Sequence, residues 1–223
     1  MQVLPSREEM LSSIRTLETS HRERVENYLL THRELVQAYP ERLFLATRFF
    51  PHVAGVTLNV GVMEMNKEDH LLLPDPSNMR SLDTDPACAP WGSPSGHETC
   101  DFFDWRQESG LGGIALFGAI GDRNDRSADA AQIGLEHANR VARHSASLLA
   151  PRGKMLLGIE LNHVSQRARN RNVREWGKWL DQSQPMHDLF DEIDIFEGRN
   201  NIIVVANRSV LGFKQSSKGN ADP

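Results

Sequence analysis

The sequence predicts an α/β fold: a doubly wound, mainly parallel sheet that ends in an antiparallel hairpin and carries a helical cap at its N-terminus. Three observations predict it. Between residues 51 and 212 short apolar runs alternate with helical stripes, which implies parallel strands joined by crossovers that cover both faces of the sheet. The first forty residues show helical spacing instead. Near the end, "DEIDIFEG" and "NNIIVVANR" are strand-like runs joined across Glu197 to Asn200, which reads as a hairpin.

Ser6 followed by Glu9 reads as a capping box, after which Met10, Ile14, Leu17, Val25, Leu29 and Val36 recur at helical spacing up to Pro40. Thr57 to Gly61 alternates like a strand and follows Pro51 and Gly55, which punctuate the chain. "MRSLDTDP" (Met79 to Pro86) is a short second strand ending in acidic residues. "GGIALFGAIG" (Gly112 to Gly121) is a third, apolar enough for burial on both faces. Ile133, Ala138, Val141 and Leu148 form a helical stripe that stops at Pro151 and Gly153, and "KMLLGIEL" (Lys154 to Leu161) is the next strand. The chain thus divides into a helical cap at 1–50, an α/β domain at 51–212, and a polar tail at 213–223 expected to be disordered.

Composition excludes several classes. The 223 residues suit one α/β domain with an appendage rather than two catalytic domains. A net charge of -5 gives no global field toward nucleic acid or anionic lipid. Two cysteines, Cys88 and Cys100, with no C-x-x-C pattern and no apolar leader, point to reduced thiols in a cytoplasmic protein. No apolar run reaches the length of a membrane span. The nine histidines form no H-E-x-x-H or similar set, so no metal is expected.

In a doubly wound sheet, ligands bind beyond the carboxyl ends of the strands where strand order reverses. The residues there are Gly61 to Asn66 after the first strand, Asp83 and Asp85 after the second, and Gly118 to Asp122 after the third. Asp83 lies 22 residues beyond Gly61, near the offset at which an acid at the end of the second strand takes the ribose hydroxyls of an adenosine cofactor; the alternative is that Asp83 and Asp85 are turn residues before Pro86. In "GHETCDFFDW", Asp101 could accept an adenine amino group while an aromatic neighbour covers the ring, or Phe102 and Trp105 are core and Asp101 caps a turn.

In order, "TLNVGV", "RSLDTDP", "CDFFDW", "IALFGAIG" and "ASLLAPRGKMLLGIE" resemble the successive motifs of class I S-adenosylmethionine-dependent methyltransferases, over roughly residues 50 to 208. The most specific piece is "LLAPRGKMLL", which looks like that family's helix ending in Leu-Leu, its Pro-x-Gly turn and the apolar strand that follows. The resemblance implies a Rossmann-like methyltransferase sheet and S-adenosylmethionine as cofactor. It places Gly61 against the methionine part, Asp83 on the ribose, Asp101 on the adenine amine and Phe102 beside the ring, with Gly118 at the third strand end. Asn59 stands where the family usually has an acid, and "GVMEMN" replaces its glycine-rich turn, leaving Asn66 or Glu64 to supply polar contacts. Because S-adenosylmethionine has no pyrophosphate to cradle, such a loop argues more strongly against a dinucleotide.

Methyl transfer from a sulfonium needs alignment, desolvation and an unprotonated nucleophile. The candidates for a base near strand ends are His163, His97, Asp122 and Glu160. The segment from Ser165 to Gln182 combines Arg167, Arg169, Arg171 and Arg174 with Trp176 and Trp179; arginine forks, those of Arg167, Arg171 and Arg174 above all, suit an anionic acceptor, and a solvated basic face with the tryptophans tucked against the core is the structural alternative. The expected activity is transfer to an oxygen or nitrogen of a small or glycan-type acceptor, with no nucleic acid and no membrane. The rivals are an inactive methyltransferase-like scaffold and a nucleotide-dependent oxidoreductase or nucleotide-sugar enzyme. The exposed side of the N-terminal helix, with His21, Arg22, Arg24 and Glu26, reads as solvent surface or a homodimer contact.

Overall fold

The computed structural model describes the backbone of residues 1–106, 110–120, 128–161 and 165–210, and the side chains of all of these except 118–120, 128–134 and 168. The expected tail at 213–223 lies outside them.

The strands are β1 (Gln2–Val3), β2 (Thr57–Val60), β3 (Met79–Asp83), β4 (His97–Thr99), β5 (Leu111–Ile120), β6 (Leu149–Glu160), β7 (Phe190–Glu197) and β8 (Asn201–Arg208). They form one sheet in the order β1-β7-β8-β6-β5-β2-β3-β4. Among these strands β8 alone is inverted: it pairs antiparallel with both β6 and β7, and every other pairing is parallel. The doubly wound, mainly parallel sheet with a terminal hairpin is therefore present. β1 and β4 carry no apolar alternation to announce them; each is a short edge strand made by pairing with its neighbour, β4 through Ser81↔His97 and Asp83↔Thr99.

Period-two alternation divides the core between the two faces. Ile114 and Leu116 of β5, Met155 and Leu157 of β6, and Ile202 and Val204 of β8 face one cluster, shared with α5 (Ala128–Leu148) and α6 (Gln166–Gln182) through Val141, Trp176 and Trp179. Their neighbours Ala115, Leu156 and Ile203 face the other, with Val25, Phe44, Phe49 and Phe50 of the N-terminal region. The cap is thus a full layer of the fold. Each fully buried large aliphatic or aromatic side chain stabilises it by about 1.5–3 kcal/mol.

That cap comprises α1 (Arg7–Ser13), α2 (Thr19–Thr31), α3 (Arg33–Ala38) and α4 (Pro40–Phe44). The expected box is formed at its start: Ser6 Oγ accepts from the Glu9 amide and Glu9 Oε2 from the Ser6 amide. One expectation is corrected here. His21 is buried, its Nε2 2.9 Å from the Leu72 carbonyl, and Arg24 donates to the Leu73 and Pro74 carbonyls, so this side of α2 faces the segment after β2 rather than solvent.

The crossovers from β2 to β3 and from β3 to β4 contain 3-10 turns and no α-helix. Pro74, Pro76, Pro86 and Pro90 explain this, since each removes a helix donor and fixes its own φ. The cap fills the layer that crossover helices would otherwise provide. At the opposite end of the domain, the turn inside "LLAPRGKMLL" is a bulge in β6: the register with β5 jumps from Leu111↔Leu149 to Gly113↔Lys154, and Arg152 sits at φ 65°. A Cβ on Gly153 would lie 2.7 Å from the Leu111 carbonyl oxygen, so the glycine is needed for this close approach. α7 (Gln184–Leu189), capped by Ser183, leads into β7.

Candidate active site

From β2 the chain steps outward to β3 and β4, then returns as β5 on the other side of β2 and proceeds to β6. Strand order reverses between β2 and β5, and it is at the carboxyl ends of such a pair that sheets of this kind form their ligand crevice.

Gly61 leaves β2 at that point with φ 80°, its amide donating to the Leu82 carbonyl at 3.0 Å. A Cβ there would stand 2.7 Å from the Phe117 carbonyl oxygen of β5. Glycine is required twice over, by conformation and by space. Asp83 ends β3; its Oδ1 accepts from the Asp85 amide at 2.8 Å. The Cys88 thiol lies against the same carboxylate and is pushed above the usual thiol range by partial burial, then by Asp83 and Asp85. Asp101 follows β4, exposed, with Oδ1 accepting from the Phe103 amide at 2.8 Å. Asp101 Oδ2 has no intramolecular partner among the described bonds, whereas the Asp83 carboxylate also takes a hydrogen bond from the Cys88 thiol.

The loop after Gly61 is held from beneath by a buried polar network. Asp69 and Arg42 form a salt bridge in which both side chains are almost fully enclosed, Arg42 Nη1 donating to Asp69 Oδ2 at 3.1 Å and Nη2 to Oδ1. Arg42 also donates to the Met65 carbonyl at 3.0 Å and to the Tyr28 hydroxyl, which donates onward to Asp69 Oδ1. Burial and the adjacent Asp69 push that phenol above its usual range. Burial works against the Arg42 charge, yet Asp69 and Tyr28 outweigh it and hold the guanidinium protonated.

Two expected cofactor contacts belong to this network. Asn59 and Asn66 both spend their amide on Asp69 Oδ2, at 3.2 and 2.9 Å, and Asn66 Oδ1 accepts from the Met63 amide. Both are buried, so they shape the loop rather than face a ligand. Asp69 is fully buried, so its carboxylate holds these two amides in place and does not itself face a ligand. Nothing in local sequence signalled this network, because Tyr28 and Arg42 lie 41 and 27 residues from Asp69 along the chain.

Phe102 is likewise core, packed in the cluster of α5 and α6, with His144 Nε2 2.8 Å from its carbonyl. Phe103 is the half-buried aromatic beside Asp101. The Arg140 guanidinium lies 3.7 Å from its ring centroid, and the rings of His137 and His144 pack against it in a T-shaped and a tilted contact respectively. Burial lowers the His144 pKa from its ordinary value. His97 lies at the start of β4, two residues short of the carboxyl end, with Nδ1 3.0 Å from Ser81 Oγ; this removes it from the crevice. Gly118 belongs to β5, and Glu160 is exposed at the carboxyl end of β6. Asp122 and His163 lie outside the described residues.

Arg167, Arg171 and Arg174 are exposed on α6. Arg167 and Arg174 line an open cleft of ≈ 660 Å³ together with Asn170, Val173 and Glu197, whereas Arg171 reaches Glu175 at 3.8 Å. Among the described residues no three His, Cys, Asp or Glu side chains gather as a metal-binding set, and no helix is long and apolar enough to cross a membrane.

The parallel order β4-β3-β2-β5-β6, continued by an inverted β8 and then β7, with helices on both faces, decides the architecture. This is a Rossmann-like sheet of the kind that the resemblance to class I methyltransferases implied. No protein-family model matches the chain, and no curated protein matches it. Solved structures do. N-methyltransferase NodS from Bradyrhizobium japonicum WM9 matches at 13% identity and TM-score 0.48, covering 76% of this chain and 96% of that one. Its complex with S-adenosyl-L-homocysteine matches at 11% identity and TM-score 0.49, over 77% and 86%. A structure described as a possible exported protein from Bordetella parapertussis matches at 11% identity and TM-score 0.50, over 76% and 67%. At such identities the likeness concerns the fold alone and leaves ligand and acceptor to the residues.

Proposed function

We propose that this chain is an S-adenosylmethionine-dependent methyltransferase acting on an oxygen or nitrogen of a small or glycan-type acceptor. One observation carries the reading: Gly61, Asp83 and Asp101 follow the carboxyl ends of three adjacent parallel strands, beside the point where strand order reverses. The residues present fit the adenosine half of the cofactor. Asp101 keeps one carboxylate oxygen free of the intramolecular bonds described, for the adenine amine, and the half-buried Asp83 carboxylate at the end of β3, which already meets the Asp85 amide and the Cys88 thiol, is proposed for the ribose hydroxyls. Gly61 brings bare backbone to the crevice.

When bound, the cofactor supplies an electrophilic methyl on a sulfonium. The protein's part is to align the acceptor and exclude water, and to take a proton where the acceptor carries one. Glu160 at the end of β6, with His163 and Asp122 in the segments after β6 and β5, are the proposed candidates for that proton. Two free cysteines suit a reducing, cytoplasmic compartment. The test is transfer of a radiolabelled methyl group from S-adenosylmethionine to a panel of small acids, amines and sugars. Label in product that disappears in Asp83→Ala and Asp101→Ala supports the reading; cofactor binding with no transfer to any acceptor favours the inactive scaffold.

A further inference from the structure

α6 carries four arginines near its N-terminal half, and the structure sorts them. Arg169 is committed to the β7–β8 hairpin: its Nη1 lies 2.6 Å from Glu197 Oε1 and its Nη2 donates to the Gly198 carbonyl at 2.8 Å. Arg171 pairs along the helix with Glu175. Arg167 and Arg174 form no salt bridge among the described residues, and both line the cleft between α6 and the end of β7. Seven residues apart, they stand on one face of the helix about 10 Å from each other along its axis, with Asn170 between them on the same side. Glu197 also lines the cleft, but its charge is offset by Arg169, so two uncompensated guanidiniums set the local field.

Both walls are fixed. The hairpin is gripped from the cap as well, because Glu41 Oε1 accepts from the Asn200 amide at 2.6 Å and the Asn201 amide at 3.2 Å. The helix is anchored by Trp176 and Trp179, both buried, with Trp179 Nε1 donating to Asn139 Oδ1 of α5 at 3.0 Å. Glu197 is the last residue of β7, which runs parallel to β2 and β3, so the cleft lies at the carboxyl end of the sheet, the end that also carries Gly61 and Asp83. Two exposed guanidinium forks with an amide between them offer the planar, multiply donating set that an oxyanion accepts from. Two such contacts are too few to hold a polyanion by counterion release, which argues for a small molecule.

We infer that this cleft binds the carboxylate or phosphate of a small anionic acceptor through Arg167, Asn170 and Arg174. Calling the ligand the acceptor rests on the methyltransferase reading; the anion site itself does not. The test is calorimetric titration of the full chain with citrate, inorganic phosphate and pyrophosphate at low salt. Comparison is with the Arg167→Gln/Arg174→Gln double variant and with Arg33→Gln, a remote charge control on α3. The expected result is saturable one-to-one binding, weakened at least tenfold in the double variant and unchanged in Arg33→Gln; citrate preferred over the phosphates assigns a carboxylate, the reverse a phosphate. No saturable binding to the wild type, equal binding by the double variant, or equal weakening by Arg33→Gln overturns the site. A parallel titration with S-adenosylmethionine separates the two claims. Cofactor binding without anion binding sinks the cleft alone, and anion binding without cofactor binding sinks the methyltransferase reading while the cleft stands.

Discussion

Arg42 and Asp69, 27 residues apart in sequence, form a salt bridge beneath the loop that follows β2, and neither side chain reaches solvent. One partner comes from the cap and the other from the crossover, so the pair joins the N-terminal layer to the proposed cofactor loop. Removing either leaves a buried charge without its counterion, which is far costlier than losing an exposed pair. Asp69→Asn and Arg42→Met are each expected to lower stability by about 3–5 kcal/mol in urea unfolding. A loss below about 1 kcal/mol would mean that water reaches the pair.

Tyr28 gives the network a signature at high pH. Its hydroxyl is held neutral by burial and by Asp69, so the folded state binds the phenolic proton more tightly than the unfolded chain does. The resulting stabilisation is fully present below the unfolded value of about 10 and is lost as pH rises beyond it toward the raised folded value. Tyr28→Phe should therefore be less stable than wild type at pH 8, by about 1–3 kcal/mol for the broken bonds, and the gap should narrow above pH 10. Thermal melts at pH 8 and 11 check this; a constant gap contradicts it.

Gly61→Ala combines a left-handed backbone with a Cβ 2.7 Å from the Phe117 carbonyl. The strain of such a residue is about 1–2 kcal/mol before the contact is counted. The expected outcome is a lower melting temperature together with weaker S-adenosylmethionine binding. A variant with wild-type stability and affinity would show that the loop does not pass this close to β5.

Glu41, the neighbour of Arg42 on α4, secures the hairpin at the far end of the same sheet edge. Glu41→Ala should release the amides of Asn200 and Asn201 to rapid hydrogen exchange while those of β6 stay protected. Unchanged exchange at both positions would place their protection elsewhere.

The central strands were readable in the sequence because burial on both faces forces apolar runs, as in β5 and β6, and because proline and glycine mark their ends. The hairpin was readable for the same reason. β4 was not: "HET" has no apolar pattern, and its strand conformation comes from pairing with β3 at the sheet edge. Gly61, Asp83 and Asp101 could be named from their order along the chain. The Arg42–Asp69–Tyr28 network could not, since its bonds span 14 to 41 residues and each member looks locally like a helix-surface or turn residue. Nor could spacing alone show which arginines of α6 were free; Arg171 lies on the right turn of the helix but pairs with Glu175, and Asn170 takes its place beside the cleft.

The most direct test of the central claim is calorimetric titration of the wild-type protein and of Asp83→Ala with S-adenosylmethionine and S-adenosylhomocysteine. The account predicts one site of micromolar affinity for both ligands, weakened at least tenfold by the substitution, consistent with a charge-assisted contact of about 1.5–3 kcal/mol. Absence of binding by the folded wild type, or equal affinity in Asp83→Ala, would contradict it.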